Sequence, residues 1–518
     1  MKIRELVKDL SCHFNTIHGE KICADTDIQG LLDTEITQIT NDSRKVLPGS
    51  LFFCIVGANS DGHDYAAMAM EKGAAALVVQ KDIDLSAAAG AGAGDLKEQP
   101  AIIRVEDSRF AMAAISAAFY GHPAREMKII GVTGTKGKTT TTYMVRSILE
   151  AAGIRTGLVG TIETVYETTA GEEVRIPSAN TTPESIVLQR RFREMADGGV
   201  QAVVMEVSSQ ALMLHRTAGF VFDLGIFTNL SPDHIGPNEH SDFEDYLHCK
   251  SLLFRQCRTG IFNGDDPYFE KIIEGHTCAV ETFGLGEGND LRAKNISLIH
   301  TPGELGIAFD TEGVLSLHAH VPAPGSFSVY NALCAIAVCR HFNVSEDNIC
   351  RSLSRIHVRG RIEMVKVSDK FTLMIDYAHN AMALESLLKT LREYDPGRLV
   401  CLFGCGGNRS RSRRFEMGEV SGRLADFTII TSDNPRFEEP MDIIADIVTG
   451  IAPTGGKYIE IPDRKEAIRY AIENGRPHDI IVLAGKGHED YQEIKGQKYP
   501  MDERVLIAEI LEEAKKQQ

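Results

Sequence analysis

The fold of the central part of this chain is decided by the stretch Lys128-Ile129-Ile130-Gly131-Val132-Thr133-Gly134-Thr135-Lys136-Gly137-Lys138-Thr139-Thr140. An apolar run typical of a buried strand comes first, a glycine-rich turn follows, and a helical pattern then begins. In such a unit the glycines let backbone N–H groups approach phosphate oxygens, and the helix N-terminus favours their negative charge. The stretch therefore predicts a binding site for a nucleoside triphosphate.

Two side chains of this loop have specific expected roles. Lys138 is expected to reach the outer phosphates, and the hydroxyl of Thr139 is expected to ligate Mg²⁺. The spacing departs from the general phosphate-loop motif, because Val132 stands where a glycine is usual. A glycine turn with a lysine nearby by chance is the alternative, but the strand and the helix around the turn favour a phosphate-binding loop.

Length and composition limit the class of protein. A chain of 518 residues is too long for one hydrophobic core and suggests about three domains. The net charge of −17 argues against a nucleic-acid binder. The 11 cysteines are scattered without a C-x-x-C pair, so we expect reduced thiols, no zinc site and a cytoplasmic protein. We expect no signal peptide and no membrane insertion, because the N-terminus lacks an apolar segment and no run of 18 apolar residues occurs.

Strands alternate with helices along the chain, which predicts an α/β fold with parallel sheets. We expect a small N-terminal α/β domain over residues 1–125, a central doubly wound ATPase sheet over 126–355 and a C-terminal Rossmann-like domain over 356–518. The segment Ala87–Gly94 is predicted to be a surface loop. Predicted strands are 51–56, 76–79, 158–162, 202–207, 225–228, 371–375, 399–403, 427–431 and 480–483, and predicted helices are 65–72, 140–152, 246–254, 383–392 and 463–474.

Polar residues follow the strands of the central section. Glu206 ends an apolar strand and is placed to hold Mg²⁺, with a helix N-cap as the alternative. His234 follows the next strand and could ligate a second cation, because both should lie at the same sheet edge. Lys250 lies in an amphipathic helical pattern, and its local sequence indicates an ordinary surface lysine.

In the third section, polar and glycine-rich segments again follow strands. Arg411, Arg413 and Arg414 form a basic cluster after a glycine-rich turn, which suits carboxylate or phosphate recognition, with a solvated helix face as the alternative. The segments 433–436 and 485–489 both follow apolar strands and should border one cleft.

Together these motifs resemble those of the Mur ligases, the ATP-dependent amide-forming enzymes of peptidoglycan precursor synthesis. The resemblance covers essentially the whole chain and is specific because the motifs occur in the family's order. They are Asp42-Ser43-Arg44, 134–140, 180–183, Glu206-Val207-Ser208-Ser209, His215-Arg216, 229–234, Lys250 with Leu253-Phe254, 376–379, 433–436 and 485–489. The resemblance implies a uridine-nucleotide domain, an ATPase domain and a Rossmann-like domain.

The resemblance also implies roles for individual residues. It makes Lys250 a carbamylated lysine that helps to position Mg²⁺, and it gives Lys138, Glu206, His234 and Lys250 catalytic roles, with Thr139, Glu206, His234 and Lys250 around the metal. The implied ATP contacts are Gly134, Thr135, Lys136, Gly137, Lys138, Thr139, Thr140, Asn331, Arg361 and Asp376. The implied contacts with the UDP-sugar peptide are Ser43, Thr181, Thr182, Ser208 and Arg216. The implied amino-acid contacts are Arg414, Asp433, Asn434, Arg436, Gly485 and Glu489.

The implied reaction adds meso-diaminopimelate to the D-glutamate γ-carboxylate of UDP-N-acetylmuramoyl-L-Ala-D-Glu through an acyl phosphate, with ATP and Mg²⁺. Arg436 would meet the distal carboxylate of the diamino acid and Glu489 its distal ammonium group. The alternative is L-lysine, or another diamino acid, at the same step. We expect a monomer.

Other classes of protein fit the sequence less well. A GTPase would need a guanine-reading Asn-Lys-x-Asp segment, which the sequence lacks. A catalytically inactive relative would have lost Lys138, Glu206 or Lys250, and all three are present. A folylpolyglutamate-type ligase would have no use for the N-terminal domain.

Overall fold

The computed structural model describes residues 1–16, 18–22, 25–58, 60–85, 99–236, 239–301 and 304–517. The segment Ala87–Gly94, predicted to be a surface loop, lies outside the described residues. The chain divides into two compact units, one of Met1–Phe283 with Ala337–Phe342 and one of Gly284–Ile336 with Asn343–Gln518. Strands and helices are mixed in both units, so the α/β fold class is confirmed.

The first unit begins with a sheet whose strand order is β1-β5-β4-β3-β2, where β1 is antiparallel to β5 and the other pairs are parallel. Asp107 caps the last helix of this region by accepting hydrogen bonds from the backbone N–H groups of Arg109 and Phe110. The elements are α1 Ile3–Leu6, β1 Cys12–Asn15, α2 Asp25–Leu32, β2 Gln38–Thr40, β3 Ser50–Phe53, α3 Ala66–Glu71, β4 Ala76–Val79, β5 Ala101–Val105 and α4 Ser108–Phe119.

The central sheet of the first unit contains the phosphate-loop stretch. Its elements are β6 Lys128–Thr133, α5 Lys138–Ala151, β7 Thr156–Val159, β8 Glu163–Glu167, β9 Glu173–Pro177, α6 Ser185–Asp197, β10 Ala202–Glu206, α7 Ser209–Met213, β11 Phe222–Phe227, α8 Phe243–Ser251, β12 Cys257–Asn263, α9 Phe269–Ile272 and β13 Ala279–Gly284. From β13 to β9 the order is β13-β12-β11-β6-β10-β7-β8-β9, parallel except at β8 and β9.

The register of this sheet explains why the chemically interesting residues meet. Strand β6 lies between β11 and β10, with Phe227 opposite Thr133 and Glu206 opposite Val132. The ends of these parallel strands therefore open on the same sheet edge as the glycine-rich turn, which is where α/β sheets bind ligands.

Two strand predictions were wrong at their ends, because the strand predicted over 51–56 ends at Phe53 and a second one also ends early. The pattern predicted a strand over 158–162, but β7 ends at Val159 and Gly160 begins a turn. A Cβ atom on Gly160 would lie 2.5 Å from the Oε1 atom of Glu206. Only glycine fits at this position, because the backbone passes close to a buried carboxylate.

The second unit contains an antiparallel meander, a six-stranded sheet and a separate two-stranded hairpin. Strands β14 to β16 form an antiparallel meander, and the C-terminal sheet has the order β17-β18-β22-β19-β20-β21 with β17 antiparallel and the other pairs parallel. The elements are β14 Leu291–Thr301, β15 Glu304–Gly313, β16 His318–Val321, α10 Ser326–Arg340, α11 Glu346–Leu353, β17 Glu363–Val365, β18 Thr372–Asp376, α12 Ala381–Arg392, β19 Leu399–Phe403, α13 Ser412–Leu424, β20 Phe427–Ile430, α14 Pro440–Ile451, β21 Tyr458–Glu460, α15 Arg464–Glu473, β22 Ile480–Ala484, β23 Tyr491–Ile494, β24 Gln497–Pro500 and α16 Glu503–Gln517.

The cores of the sheets are made by the apolar runs seen in the sequence. On α5 the buried residues Met144, Val145, Ile148 and Leu149 follow the helical spacing that predicted this helix. The strand predicted over 399–403 is confirmed as β19, and each of its residues is buried. Among the helices of the described residues, none combines the length and the apolar character that crossing a membrane requires.

Candidate active site

The phosphate loop is shaped by two glycines and by the end of the neighbouring strand. Gly134 has a φ of +145°, and a Cβ atom there would lie 2.0 Å from the Thr228 hydroxyl oxygen. Gly137, with a φ of +86°, caps α5 in a conformation that favours glycine. Asn229 accepts a hydrogen bond from the Lys136 N–H (2.9 Å) and donates one to the Lys136 carbonyl (3.0 Å). The residues that follow β11 therefore contact the phosphate loop at Gly134 and at Lys136.

Lys138 begins α5 and folds back over the loop. Its Nζ atom donates hydrogen bonds to the carbonyl oxygens of Gly134 (2.8 Å) and Thr135 (3.0 Å). These carbonyls stabilise the ammonium group at the place where the sequence predicted phosphate binding. An anion arriving at the helix N-terminus could exchange with them.

Glu206 is almost fully buried, with 1% of its surface exposed, at the end of β10. Its carboxylate accepts hydrogen bonds from the Thr139 hydroxyl (3.0 Å), the Thr161 N–H (2.8 Å) and the Thr161 hydroxyl (2.9 Å). Three donors offset much of the cost of burying this group. Glu206 does not cap a helix, because Ser208 accepts the N-cap hydrogen bond of α7.

Lys250 is buried, with 2% exposed, which corrects the interpretation as a surface lysine. Lys250 lies on the buried face of α8. Its Nζ atom donates a hydrogen bond to the Gly134 carbonyl (2.9 Å) and lies 4.5 Å from the ring centroid of Tyr246, and these contacts stabilise the amine there. Burial, and next the charge of Lys138, holds the pKa of Lys250 well below its usual value. The neutral amine is therefore favoured far more than on a surface lysine.

His234 lies at the same sheet edge but extends into solvent. Its backbone has a φ of +55°, and 55% of its side chain is exposed. The Nδ1 atom lies 3.4 Å from a carboxylate oxygen of Glu239. His234 and Lys250 both line the cavity that is described next. The structure therefore brings the two residues to one site.

A cavity of about 310 Å³ opens beside the phosphate loop. The lining side chains combine lysines, hydroxyls and one arginine, which suits an anionic ligand with several hydrogen-bonding groups. They are Lys138, Thr161, Ala179, Asn180, Thr181, Ser208, Ser209, Gln210, Arg216, His234, Tyr246 and Lys250. Of the predicted sugar-peptide contacts, Thr181, Ser208 and Arg216 belong to this lining.

The other two predicted sugar-peptide contacts are placed differently. Thr182 is buried and its hydroxyl donates to the backbone carbonyl of Glu206 (2.9 Å), so it holds the end of β10. Ser43 begins a short 3₁₀ turn after β2, where the Asp42 side chain pairs with Arg44 at 2.9 Å. Ser43 is not one of the residues that line the cavity of about 310 Å³.

A buried polar network beside the cavity was missed at the sequence level. The Nε2 atom of His240 lies 2.8 Å from the Ser209 hydroxyl, and its Nδ1 atom lies 3.1 Å from the Asp245 carboxylate. The Cys249 thiol donates to the same carboxylate at 3.5 Å. His240, Asp245 and Cys249 are close enough for a metal ion, but these hydrogen bonds already satisfy both nitrogens of the histidine. The one sequence signal that pointed toward this network was Ser209, which stands next to the predicted site residue Ser208.

In the second unit, two of the predicted ATP contacts, Arg361 and Asp376, lie near the end of β18. Asp376 accepts hydrogen bonds from the backbone N–H groups of Ile362 (2.9 Å) and Ala378 (2.8 Å). Burial raises the pKa of Asp376, and the nearby charge of Arg361 opposes this effect. The Arg361 guanidinium lies over the Tyr377 ring at 4.7 Å, and Asn331 is buried on α10.

The predicted amino-acid contacts lie at the ends of β19, β20 and β22. Arg414 is 1% exposed and pairs with Glu438 (2.8 Å) and Asp446 (2.9 Å), so it is not part of a solvated helix face. Glu489 accepts hydrogen bonds from Asn434 (2.9 Å) and from the buried Lys486 (2.8 Å). Lys486 was not predicted, although it lies inside the motif 485–489.

Two further members of this group depend on backbone conformation. Gly485 has a φ of +106°, and a Cβ atom there would lie 3.1 Å from an Asp433 carboxylate oxygen. Arg436 adopts a φ of +53°, and its guanidinium pairs with Glu493 at 3.0 Å. The structure therefore brings the segments 433–436 and 485–489 together, as their positions after neighbouring strands predicted.

Comparisons with known protein families give matches along the chain. The family model described as "Mur ligase family, catalytic domain" matches residues 35–120, "Mur ligase middle domain" matches 132–339, and "Mur ligase, glutamate ligase domain" matches 360–487. The three matches agree with the predicted order of three domains. The boundaries at 125 and 355 stay a prediction.

Full-length relatives are similar in sequence. The chain is 40% identical over 518 residues to UDP-N-acetylmuramoyl-L-alanyl-D-glutamate--2,6-diaminopimelate ligase 1 of Clostridium acetobutylicum, with 99% of this chain and 100% of the relative covered. It is 42% identical over 495 residues to the ligase of that name from Caldanaerobacter subterraneus, with 95% and 98% covered.

Solved structures show the same fold. A structure of UDP-N-acetylmuramoyl-L-alanyl-D-glutamate--2,6-diaminopimelate ligase has a TM-score of 0.68 and 25% identity, with 99% of both chains covered. The MurF ligase of Thermotoga maritima, solved in complex with ADP, has a TM-score of 0.55 and 17% identity, with 95% of this chain and 99% of that chain covered.

Proposed function

The chain belongs to the Mur ligase family, and from this premise we propose that it joins meso-diaminopimelate to the γ-carboxylate of D-glutamate in UDP-N-acetylmuramoyl-L-alanyl-D-glutamate. The observation that carries the proposal is the similarity, over nearly the whole chain, to relatives named for this reaction. The site geometry supports it, because Lys138 and Lys250 both bind the Gly134 carbonyl beside a polar cavity. The enzyme is an ATP-dependent amide ligase of peptidoglycan precursor synthesis.

The first chemical step activates the carboxylate. An oxygen of the γ-carboxylate attacks the γ-phosphorus of ATP, a new P–O bond forms, and the bond to ADP breaks, which gives an acyl phosphate and ADP. The Lys138 ammonium group gives up its hydrogen bonds to the loop carbonyls, donates to phosphate oxygens instead and stabilises the negative charge on those oxygens. Catalysis of this kind depends mostly on positioning and on charge stabilisation.

The residues around Glu206 fit a divalent cation. Magnesium prefers oxygen ligands, and the Thr139 hydroxyl and the Glu206 carboxylate lie 3.0 Å apart at one strand end. Thr139, Glu206, His234 and Lys250 are the residues that would hold Mg²⁺, which when bound neutralises charge on the phosphates. The Glu206 carboxylate would keep its Thr161 partners and so remain fixed in direction.

Lys250 suits carbamylation, because only a neutral amine attacks CO₂. In that reaction the neutral lysine nitrogen bonds to the carbon of CO₂, one C–O π bond opens onto oxygen and one proton is released from nitrogen, so that a neutral amine becomes a carbamate anion. The lowered pKa of Lys250 favours the required neutral form. The product would place a carboxylate beside the phosphate loop and add an oxygen ligand for the metal.

The second chemical step forms the amide. The amine of the incoming amino acid attacks the acyl carbon, the C–N bond forms, and phosphate leaves with one oxygen of the original carboxylate. The nitrogen loses a proton as the bond forms. We assign Arg436 to the distal carboxylate of diaminopimelate and Glu489 to its distal ammonium group, because these charges are complementary.

The proposal is tested by offering two amino acids in parallel. The protein is incubated with UDP-N-acetylmuramoyl-L-Ala-D-Glu, ATP and Mg²⁺, and with meso-diaminopimelate or L-lysine, and phosphate release is measured. Release that depends on diaminopimelate is expected. Release with L-lysine alone would contradict the assigned amino acid, and no release with either would contradict the ligase activity.

Light scattering tests the predicted monomer against the chain mass of 56.8 kDa.

A further inference from the structure

A β-hairpin formed by β23 and β24 supports the segment that contains Arg436. The side chain of Gln492 donates to the Asp433 carbonyl (2.7 Å), and the Glu493 N–H donates to the side-chain oxygen of Asn434 (2.9 Å). Hairpin residues therefore bond to consecutive positions of the segment 433–436. None of these hairpin residues was predicted as a site residue.

The hairpin also fixes the backbone of Arg436. The Arg436 N–H donates to the Glu493 carbonyl (3.0 Å), and the Lys495 N–H donates to the Arg436 carbonyl (2.6 Å). Arg436 adopts a φ of +53°, in the left-handed region that is costly for a residue with a side chain. Two backbone hydrogen bonds, one to β23 and one to the turn that follows it, offset this cost and hold the residue in place.

The guanidinium is held as firmly as the backbone. Its Nε atom donates to Glu493 Oε2 (3.0 Å), and its Nη1 atom donates to the Gly407 carbonyl (2.7 Å). A guanidinium has five N–H groups in a rigid fork, so two fixed bonds determine the direction of the whole group. A Cβ atom on Gly406 would lie 2.9 Å from Nη1, which shows how closely the turn 404–409 encloses the group.

The Arg436–Glu493 pair is more exposed than the Arg414–Asp446 pair. In the Arg414–Asp446 pair 2% and 9% of the side chains are exposed, whereas in the Arg436–Glu493 pair 21% and 24% are exposed. A ligand can therefore reach Arg436 without breaking a fully buried ion pair, and Glu493 is the carboxylate that fixes its direction.

We propose that Glu493 is a positioning residue that fixes Arg436 for the distal carboxylate of the incoming amino acid and so contributes to the choice of diaminopimelate over lysine. This inference rests on the proposed function. The pair carries no net charge, which matches the distal end of diaminopimelate with one carboxylate and one ammonium group. Lysine brings an ammonium group alone and has nothing for Arg436 to bind.

The test compares Glu493→Ala with Glu493→Gln, whose amide oxygen can still accept from Nε. For Glu493→Ala we expect the KM for diaminopimelate to rise about tenfold, with kcat and the KM values for ATP and the UDP-sugar peptide changed less than about twofold. Glu493→Gln should recover most of the loss, with a KM about threefold above wild type. The kcat/KM for L-lysine should stay within about twofold in both variants. Gln497→Ala, on the exposed strand of the same hairpin, is the matched control.

A double-variant cycle decides whether Glu493 acts through Arg436. In an Arg436→Ala background, Glu493→Ala should raise the KM for diaminopimelate by less than about twofold further. Additive effects, an unchanged KM in both single variants, or a parallel rise in all three KM values would overturn the inference. Should Glu493→Ala fail to fold, Glu493→Gln and its combination with Arg436→Ala give the same decision. A wild-type protein inactive with diaminopimelate would contradict the proposed function instead.

Discussion

The two polar regions of this molecule handle charge in opposite ways. Around the phosphate loop, Lys138 and Lys250 both donate to the Gly134 carbonyl, and the carboxylate of Glu206 binds hydroxyl and backbone donors. Around the segment 433–436, charged side chains are joined to protein groups of opposite charge in the Arg436–Glu493 and Lys486–Glu489 pairs. The first region brings two amines to one carbonyl oxygen, where burial and the charge of Lys138 favour the neutral form of Lys250, and the second region pairs charges of opposite sign.

This difference corresponds to what each region has to bind. Phosphates and a carboxylate bring several negative charges, and the ammonium group of Lys138 is stabilised when those charges arrive. A diamino acid brings both signs of charge at one end, so a balanced and fixed set of groups selects it by geometry. In the proposed function, the first region binds the ATP that activates the carboxylate, and the second region selects the amine.

Removing Lys138 should have the largest effect, because it removes the charge that meets the transferred phosphoryl group. We expect Lys138→Ala to lower kcat by about 10³-fold in the phosphate-release assay. Lys128→Ala is the control, since that lysine lies at the opposite end of β6 and pairs with Asp223. Near-normal activity of Lys138→Ala would break the comparison, because the first region would then not depend on its lysines.

Lys250→Ala should come second, and its defect should be chemically reversible. We expect a loss of about 10²-fold, partly restored by added short-chain carboxylic acids that replace the carbamate oxygens. Lys271→Ala, which removes a lysine paired with Glu244, is the control and should need no rescue. An activity that carboxylic acids leave unchanged would argue that Lys250 acts as a cation and not as a carbamate.

Arg436→Ala should affect the second region alone. The loss of bonds to a charged carboxylate should raise the KM for diaminopimelate by about 10- to 100-fold and leave the KM for ATP within about twofold. The control is Arg409→Ala, an exposed arginine of the neighbouring glycine-rich turn. An equal rise in the KM for ATP would show that the two regions are not separate in function.

The smallest effect concerns stability and pH in the second unit. Burial, and next the charges of Arg361 and Arg359, lowers the pKa of His488 from 6.5 to about 4. As the pH falls through 6.5 the unfolded chain binds a proton that the folded chain does not, so stability is lost between about pH 6.5 and 4. Denaturant unfolding at several pH values should show that His488→Asn removes part of this loss.

His357→Asn, at an exposed position, is the control for replacing a histidine by an asparagine. An identical slope for wild type and His488→Asn would show that His488 is not held neutral by its surroundings.

Much of the fold could be predicted from the sequence because apolar runs mark the strands directly. The predicted strand 76–79 has the residues of β4, and the helix predicted over 463–474 is α15 shortened by one residue at each end. The end of β7 could not be predicted, because the turn at Gly160 depends on the carboxylate of Glu206, a residue far along the chain.

The site was predictable where a residue's role follows from its place after a strand. Glu206 and the segments 433–436 and 485–489 were found in that way. The burial of Lys250 was not, since a lysine within a helical pattern gives no sign that its partner will be the carbonyl of Gly134. Glu493 was missed for the same reason, because its meaning depends on a hairpin that pairs with a distant segment.

The central claim is that one region activates the γ-carboxylate and the other chooses the amine. The most direct test uses UDP-N-acetylmuramoyl-L-Ala-D-Glu labelled with ¹⁸O in the γ-carboxylate, together with ATP, Mg²⁺ and equal amounts of meso-diaminopimelate and L-lysine. Mass spectrometry of one reaction should show inorganic phosphate carrying one ¹⁸O atom and a product heavier by diaminopimelate. Unlabelled phosphate, or a product that contains lysine, would contradict the account.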